Sequence, residues 1–354
     1  MRFASIISEV RRDVTSGTAR MSVGFMVLTA LILAFALADL LTISSLQRQA
    51  RDFVTAGSAT RALGAVGSID GAGCEVLGTV ASVQAAGAIA LGTPLRLQAM
   101  PSVSLQTYRV TPGFAGILGI FQPQPGGVWM DDGLASVLGA HVGDRFTTST
   151  GSVTVGGIYS WPQDGRDQRL AFAVLLPQPA IGLFDECWLL SWPVVEANDI
   201  LLRTSQVIAP DSSPGIITQI NKTLGTSLDA HQLFTARITR WVAPVLMLMG
   251  LALGFVFGYV RRLEYASALH AGQSKADQLL TCALETTAWA LPATAAALVT
   301  LWAATVAMSL QDIPNTLAVV TRGPLVAFAC SLLGNLAACA LAREQDLFRL
   351  FKNR

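Results

Sequence analysis

Side chains able to do chemistry are few in this chain, and most are scattered. His141 and His231 are the two histidines of its polar middle region. They lie far apart, and neither sits in a G-x-S-x-G elbow or an H-E-x-x-H pair. His141 leads into Val142-Gly143-Asp144, which reads as a turn. Asp131 and Asp132 would suit paired acid–base carboxylates, but a helix start at Leu134–Leu138 makes capping the commoner use of such residues. Five cysteines occur, with none of the spacing of a zinc or haem site, so no metal centre is expected. Cys282, Cys330 and Cys339 lie in or beside apolar runs, where a thiol behaves as a small hydrophobe. Cys74 and Cys187 lie in the polar middle; if that region is outside the cytoplasm, a disulfide between them competes with two unpaired thiols. No G-x-x-x-x-G-K-[ST] loop is present to cradle phosphates, and Gly272-Gln273-Ser274-Lys275 is too short to count as one. The expectation is a chain without catalytic residues or a bound cofactor.

One polar constellation does have organised spacing. Arg261-Arg262-Leu263-Glu264 is followed by a short helical stretch through Leu269, then by Gly272, Ser274 and Lys275, and by Glu285 further along. Basic residues anchor a chain at membrane headgroups, and Gly272 permits a turn back. The segment reads as a docking element, against the plainer reading of a positively charged loop.

The elements that must position it are apolar. With 52% hydrophobic and 13% charged residues and a mean hydropathy of +0.51, part of the chain must face lipid. Lys plus Arg (24) and Asp plus Glu (23) nearly cancel, so no overall field draws in nucleic acid. About 20 apolar residues are needed to cross the roughly 30 Å hydrocarbon layer. Residues 21–41, 241–260, 283–310 and 324–341 meet that need, with Pro292 inside the third run expected to kink it or to mark where the true span begins. The bias of Arg and Lys sets the orientation. Arg2, Arg11, Arg12 and Arg20, the segment 261–282, and the tail 342–354 all belong in the cytoplasm, leaving residues 42–240 and a short loop 311–323 outside. A rival reading of the first run, basic residues before an apolar stretch and Ala36-Leu37-Ala38, is a cleavable signal. Residues 1–20 read as an amphipathic helix on the inner surface. Gly250, Gly254 and Gly258 put small residues on one face of the second span for close helix packing, within the subunit or across a dimer; Ala30, Ala34 and Ala38 form a weaker stripe on the first.

The fold class expected is therefore a multi-pass α-helical membrane protein with four transmembrane helices and a large α+β extracytoplasmic domain between the first and second. In that domain, strands are expected at Leu105–Val110, Ser152–Tyr159, Leu170–Leu176, Glu186–Trp192 and Ile200–Thr204. Helical stalks are expected at Thr42–Leu63 and Pro214–Arg240. Trp129, Trp161, Trp188 and Trp192 either fill the core or line an apolar ligand surface.

The 261–285 spacing resembles the cytoplasmic coupling segment of MacB/FtsX-type permease subunits of ABC transport systems. Leu269 stands where many members have a basic residue. The resemblance extends to Val110-Thr111-Pro112-Gly113-Phe114, to Gly127–Leu134, to Leu138–Phe146 and to Val153–Ile158, which look like the MacB-type outer domain. It implies docking through Arg261, Arg262, Glu264, Leu269, Gly272, Ser274, Lys275 and Glu285 on a separate ABC ATPase that holds ATP and Mg. It also implies a second permease copy or paralogue as dimer partner, and mechanotransmission to the outer domain, for export or extraction of a peptide or lipid-linked molecule. An FtsX-like regulator of a cell-wall hydrolase and a sensory or structural protein without an ATPase are the other readings.

Overall fold

The computed structural model describes residues 21–98, 102–148, 151–208, 213–308, 310 and 312–343. The expected amphipathic helix at 1–20 and the last eleven residues of the basic tail lie outside them. The chain divides into two compact units. One joins residues up to Gln47 with those from His231 onward, and the other runs from Arg48 to Ala230.

The first unit is a bundle. Helix α1 (Met21–Thr55) begins in it, and α7 (Val242–Val260), α8 (Arg262–His270), α9 (Lys275–Ala307), α10 (Ile313–Val320) and α11 (Arg322–Leu341) complete it. Among the described residues, four helical stretches are long and apolar enough to cross a membrane: Met21–Thr55, Ile238–Val260, Lys275–Ala307 and Ile313–Leu341. Leu28, Ile32, Ala36 and Leu40 recur at every fourth position of α1 and are buried with Trp289, Ala293, Ala297 and Leu301 of α9, the stripe a helical period requires. Ala30, Ala34 and Ala38 are exposed.

The tightest approach is between α7 and α11. A Cβ placed on Gly254 would fall on the Ser331 carbonyl, one on Gly250 would come 2.5 Å from the Ala327 carbonyl oxygen, and one on Gly258 would strike the Asn335 side chain. Only glycine lets two backbones meet so closely, and dispersion contacts along the seam replace the hydrophobic drive that lipid cannot supply. Because 250, 254 and 258 face 327, 331 and 335 in ascending order, α7 and α11 run parallel. Gly24 of α1 lies against Trp289 and Phe257, while Asp39 pairs with Arg237 just before α7, at 3.2 Å. The bundle therefore has two ends. At one are the start of α1, the ends of α7 and α11, α8 and the start of α9; at the other, Asp39 and Arg237 meet and the chain departs for the second unit.

The second unit, among the described residues, is a nine-stranded mixed sheet in the order β5-β6-β4-β7-β3-β2-β8-β1-β9. Its strands are β1 (Thr60–Asp70), β2 (Val83–Leu91), β3 (Thr107–Val110), β4 (Val128–Asp131), β5 (Arg145–Thr148), β6 (Gly151–Tyr159), β7 (Val174–Pro177), β8 (Leu183–Ser191) and β9 (Ile216–Gln219). Helices α2 (Gly71–Val76), α3 (Phe114–Leu118), α4 (Asp132–Leu138) and α5 (Glu196–Arg203) connect them, and α6 (Ala230–Ala236) follows β9. Alternation builds two cores on opposite faces around β8, and a third gathers Val128, Met130, Leu134, Val155 and Val174 at the other half of the sheet. Ala62, Ile89 and Trp188 join Phe114, Trp129, Tyr159, Trp161 and Leu175 on one side. Their neighbours Leu63, Ala88, Cys187 and Leu189 join Cys74, Phe184 and Leu202 on the other. Trp129, Trp161 and Trp188 are thus core residues, and Trp192 packs on Phe53 at 5.8 Å between ring centres. Cys74 of α2 and Cys187 of β8 are joined by a disulfide across a sequence separation of 113 residues.

Several expectations require correction. Ile200–Thr204 is not a strand but the last turn of α5 and its C-cap, because Asn198 and Leu202, one turn apart, are the buried positions and Ile200 is exposed. The helix expected through Leu63 ends at Thr55. Gly57 adopts φ +77°, and the bonds Gly57 N to Val54 O and Ser58 N to Phe53 O close a Schellman stop, so β1 begins at Thr60. Pro214–Arg240 is not a continuous helical stalk: it contains β9, an irregular connection, α6 and a short 3₁₀ turn over Ile238–Trp241. Leu170–Leu176 yields strand only from Val174. The helix that holds the third apolar run starts at Lys275 and continues past Pro292 to Ala307. The loop at 311–323 holds α10, started by Asp312 accepting from Asn315 N and by Pro314.

Two outcomes follow. Substituting Cys74→Ser should lower the unfolding free energy of the sheet unit by about 2–5 kcal/mol, since a loop of this length restricts the unfolded chain strongly; urea titration of the purified chain reads it. Gly254→Val should destabilise the bundle by about 1–3 kcal/mol through overpacking, whereas Val299→Ala on the exposed face of α9 should leave thermal stability in detergent unchanged.

Candidate functional site

The 261–285 segment folds into a helix-turn-helix crook whose local chemistry explains its shape. Helix α8 stops because Gly272 takes φ +90°, letting Gly272 N bond Leu269 O and Gln273 N bond Ala268 O, a second Schellman stop. Two residues later Ser274 caps α9, its Oγ accepting from Asp277 N at 3.2 Å and donating to the Asp277 carboxylate at 2.7 Å. The chain thereby reverses within a few residues, and Gly272 stands exposed at the tip.

Ion pairs and caps fasten the crook to the bundle. Arg261, the junction of α7 and α8, pairs with Glu264 at 2.7 Å and with the buried Glu285 of α9, and lies over the Tyr265 ring. Arg262 stacks on Tyr259 at 4.1 Å, which keeps its charge at the rim. Lys275 donates to Gln278 Oε1 at 3.0 Å, to Cys339 O at 3.1 Å and to Ala342 O at 2.6 Å. A cation on the last carbonyls of α11 satisfies groups that a helix end leaves unpaired and complements its dipole. Gln278 Nε2 donates to Tyr265 O at 2.9 Å, tying α8 to α9, and Asn335 of α11 donates to Thr286 Oγ1 and to Cys282 O of α9. Tyr265, Cys282, Cys339 and Ala342 bury a small apolar plug beneath.

Between α8 and α9 these residues leave a cavity of about 190 Å³, lined by Arg261, Glu264, Tyr265, Gln273, Gln278 and Glu285 among others. Its rim carries the exposed Glu264. Arg261, Glu264 and Glu285 therefore converge on the cavity, Lys275 is turned instead to the end of α11, Arg262 and Leu269 are half-buried on α8, and Ser274 is exposed at the start of α9. Gly250, Gly254 and Gly258 are elsewhere, in the α7–α11 seam. Tyr265, Gln278 and Asn335 hold the crook without having been singled out in the sequence, and Cys282 and Cys339 are buried as the small hydrophobes expected there. Asn335 carried a legible signal, a strong hydrogen-bonding group inside an apolar run; Tyr265 sits in an unremarkable alanine-rich stretch.

The remaining candidate groups are structural. Asp131 caps α4, its carboxylate accepting from Gly133 N and Phe172 N at 3.2 Å, and burial raises its pKa above the ordinary aspartate value. Asp144 accepts from His141 N at 2.8 Å, closing the turn around Gly143. Among the described residues no group of three or more His, Cys, Asp or Glu could hold a metal ion.

Arg261→Gln takes an ion-pair partner from the buried Glu285 and should cost about 3–5 kcal/mol, whereas Glu285→Gln leaves Arg261 its pair with Glu264 and should cost less; a thermal-unfolding cycle in detergent that includes the double variant measures the coupling.

No family profile and no curated protein sequence matches this chain. Solved structures do. The periplasmic region of MacB from Actinobacillus actinomycetemcomitans matches at TM-score 0.35 and 12% identity, over 46% of this chain and 89% of that one. A permease-protein domain from Porphyromonas gingivalis matches at 0.34 and 16%, over 47% and 93%. The extracellular domain of the noncanonic ABC-type transporter YknZ from Gram-positive bacteria matches at 0.27 and 12%, over 40% and 86%.

Proposed function

We propose that this chain is the permease subunit of an ABC transport system, lying in the cytoplasmic membrane with the α8–α9 crook inside and the sheet unit outside. The observation that carries the reading is the crook itself: a polar, cavity-bearing turn fixed to α7, α9 and α11 at the bundle end opposite the one from which the chain leaves for the sheet unit. Arg261, Arg262 and Lys275 on this crook supply the positive charge that favours the cytoplasmic side.

In this account a separate ATPase binds ATP and Mg and docks on the crook through Glu264, Leu269, Gly272 and their neighbours. Closure of the ATPase displaces the crook. Because Arg261 joins it to Glu285, and Lys275 joins it to the end of α11, the displacement is shared among three spans instead of being lost in a loose loop. A second copy or a paralogue completes the membrane unit. The cargo is a peptide or a lipid-linked molecule handled at the outer face, and among the described residues no ionisable side chain paves a path for it through the mid-bundle, Asp39 and Glu285 each being paired near an end.

Copurification in mild detergent with the candidate ATPase tests the docking. The chain carrying Glu264→Arg with Gly272→Trp should lose the ATPase at unchanged expression, while the wild type retains it and supports ATP hydrolysis. Equal retention by both proteins would remove the crook from the mechanism.

A further inference from the structure

The cavity between α8 and α9 keeps acceptors that the chain's own donors do not use. Of the side chains that line it, Glu264 and Glu285 are carboxylates and Arg261 is a guanidinium, two negative charges against one positive. Next to the lining, Lys275 and Asp277 add one charge of each sign: the Lys275 ammonium donates to the Cys339 and Ala342 carbonyls, and the Asp277 carboxylate accepts from Ser274. The cavity is therefore short of one positive charge. Arg261 Nε reaches Glu264 at Oε2, while the Glu264 side chain is 56% exposed at the rim and its Oε1 meets no donor among the described residues. Gln273, half-buried in the same lining, likewise has a side-chain amide without a partner among them. Gln278 is different, since it accepts from Lys275 and donates to Tyr265 O, and so forms a fixed wall.

Size and shape narrow the group that would fit. The volume is about 190 Å³, and an engineered cavity of about 150 Å³ takes up benzene, so a planar head of that size has room. The excess of carboxylate disfavours an anion. An ammonium is a compact, strongly hydrated point charge, whereas a guanidinium presents five N–H donors in a flat fork that meets carboxylate and amide oxygens together. Arg261 is held in this way from inside the chain, bridging Glu264 and Glu285.

We propose that the α8–α9 cavity is a binding site for a guanidinium group, which enters at Glu264 and Gln273 and brings the lining to neutrality. The group is an arginine side chain of a docked partner or a free guanidine, and only the first source rests on the transport reading. The test uses the full chain in nanodiscs, with N-acetyl-arginine amide as probe and N-acetyl-citrulline amide, of similar shape but uncharged, as reference. Saturation-transfer NMR at constant ionic strength should show saturable binding of the arginine derivative, at least tenfold tighter than that of the citrulline one. Glu264→Gln should weaken it at least tenfold. Ala268→Phe, placed on the cavity wall, should abolish it, whereas Ser267→Phe, exposed on α8 outside the lining, should retain it. Matching thermal-unfolding midpoints qualify each variant, and Glu264→Gln at an exposed position carries the test if Ala268→Phe does not fold. Absence of saturable binding, equal binding of the citrulline derivative, or wild-type binding by Glu264→Gln overturns the proposal. Repeating the titration on the complex copurified with the ATPase separates the sources: a probe excluded from the complex identifies a partner arginine, and a probe that still binds identifies a free guanidine. A chain that binds the probe and retains no ATPase keeps this site and sinks the transport reading, while one that docks the ATPase and binds no probe sinks the site alone.

Discussion

The constraint on which the bundle depends is the parallel contact of α7 with α11, where Gly250, Gly254 and Gly258 bring one backbone onto Ala327, Ser331 and Asn335 of the other. In lipid there is no hydrophobic gain in pressing two helices together, so close-range packing must hold them. Parallel register then fixes much else. It sets Arg261 and Ala342 at the same end, which lets Lys275 cap α11 and lets Glu285 meet Arg261. Without that register the crook would have nothing to brace against.

The sheet unit solves a different problem with a different interaction. Its strands bury apolar residues on both faces around β8, and small residues such as Ala62, Ala86, Ala88 and Ala90 leave room for Trp188 on one side and for the disulfide on the other. Several polar side chains serve this packing. Asp131 caps a helix, Asp144 closes a turn, and Arg169 with Glu186 covers Trp188.

What was legible in the sequence followed from strong, short-range physics. The four apolar runs, the Asp131 cap before Leu134, the glycine stripe and the turn at Gly272 all express rules that act within a few residues. What was not legible depended on partners distant in the chain. The α5 segment Ile200–Thr204 has strand-like composition and is helical because Leu202 finds a pocket among Leu63, Cys187 and Leu189. Pro214–Arg240 loses part of its helix to β9, which pairs with β1. The importance of Tyr265 and Cys339 to the crook likewise appears only once α8, α9 and α11 are together.

The central claim is that the crook and the sheet unit lie on opposite sides of the membrane. The direct measurement is labelling by a membrane-impermeant maleimide in spheroplasts, comparing Ser152→Cys in the sheet unit with Ala271→Cys at the tip of the crook, both exposed positions. The account predicts that Ser152→Cys is modified in intact spheroplasts and Ala271→Cys only after permeabilisation. Modification of both variants in intact spheroplasts, or of Ala271→Cys alone, would contradict it.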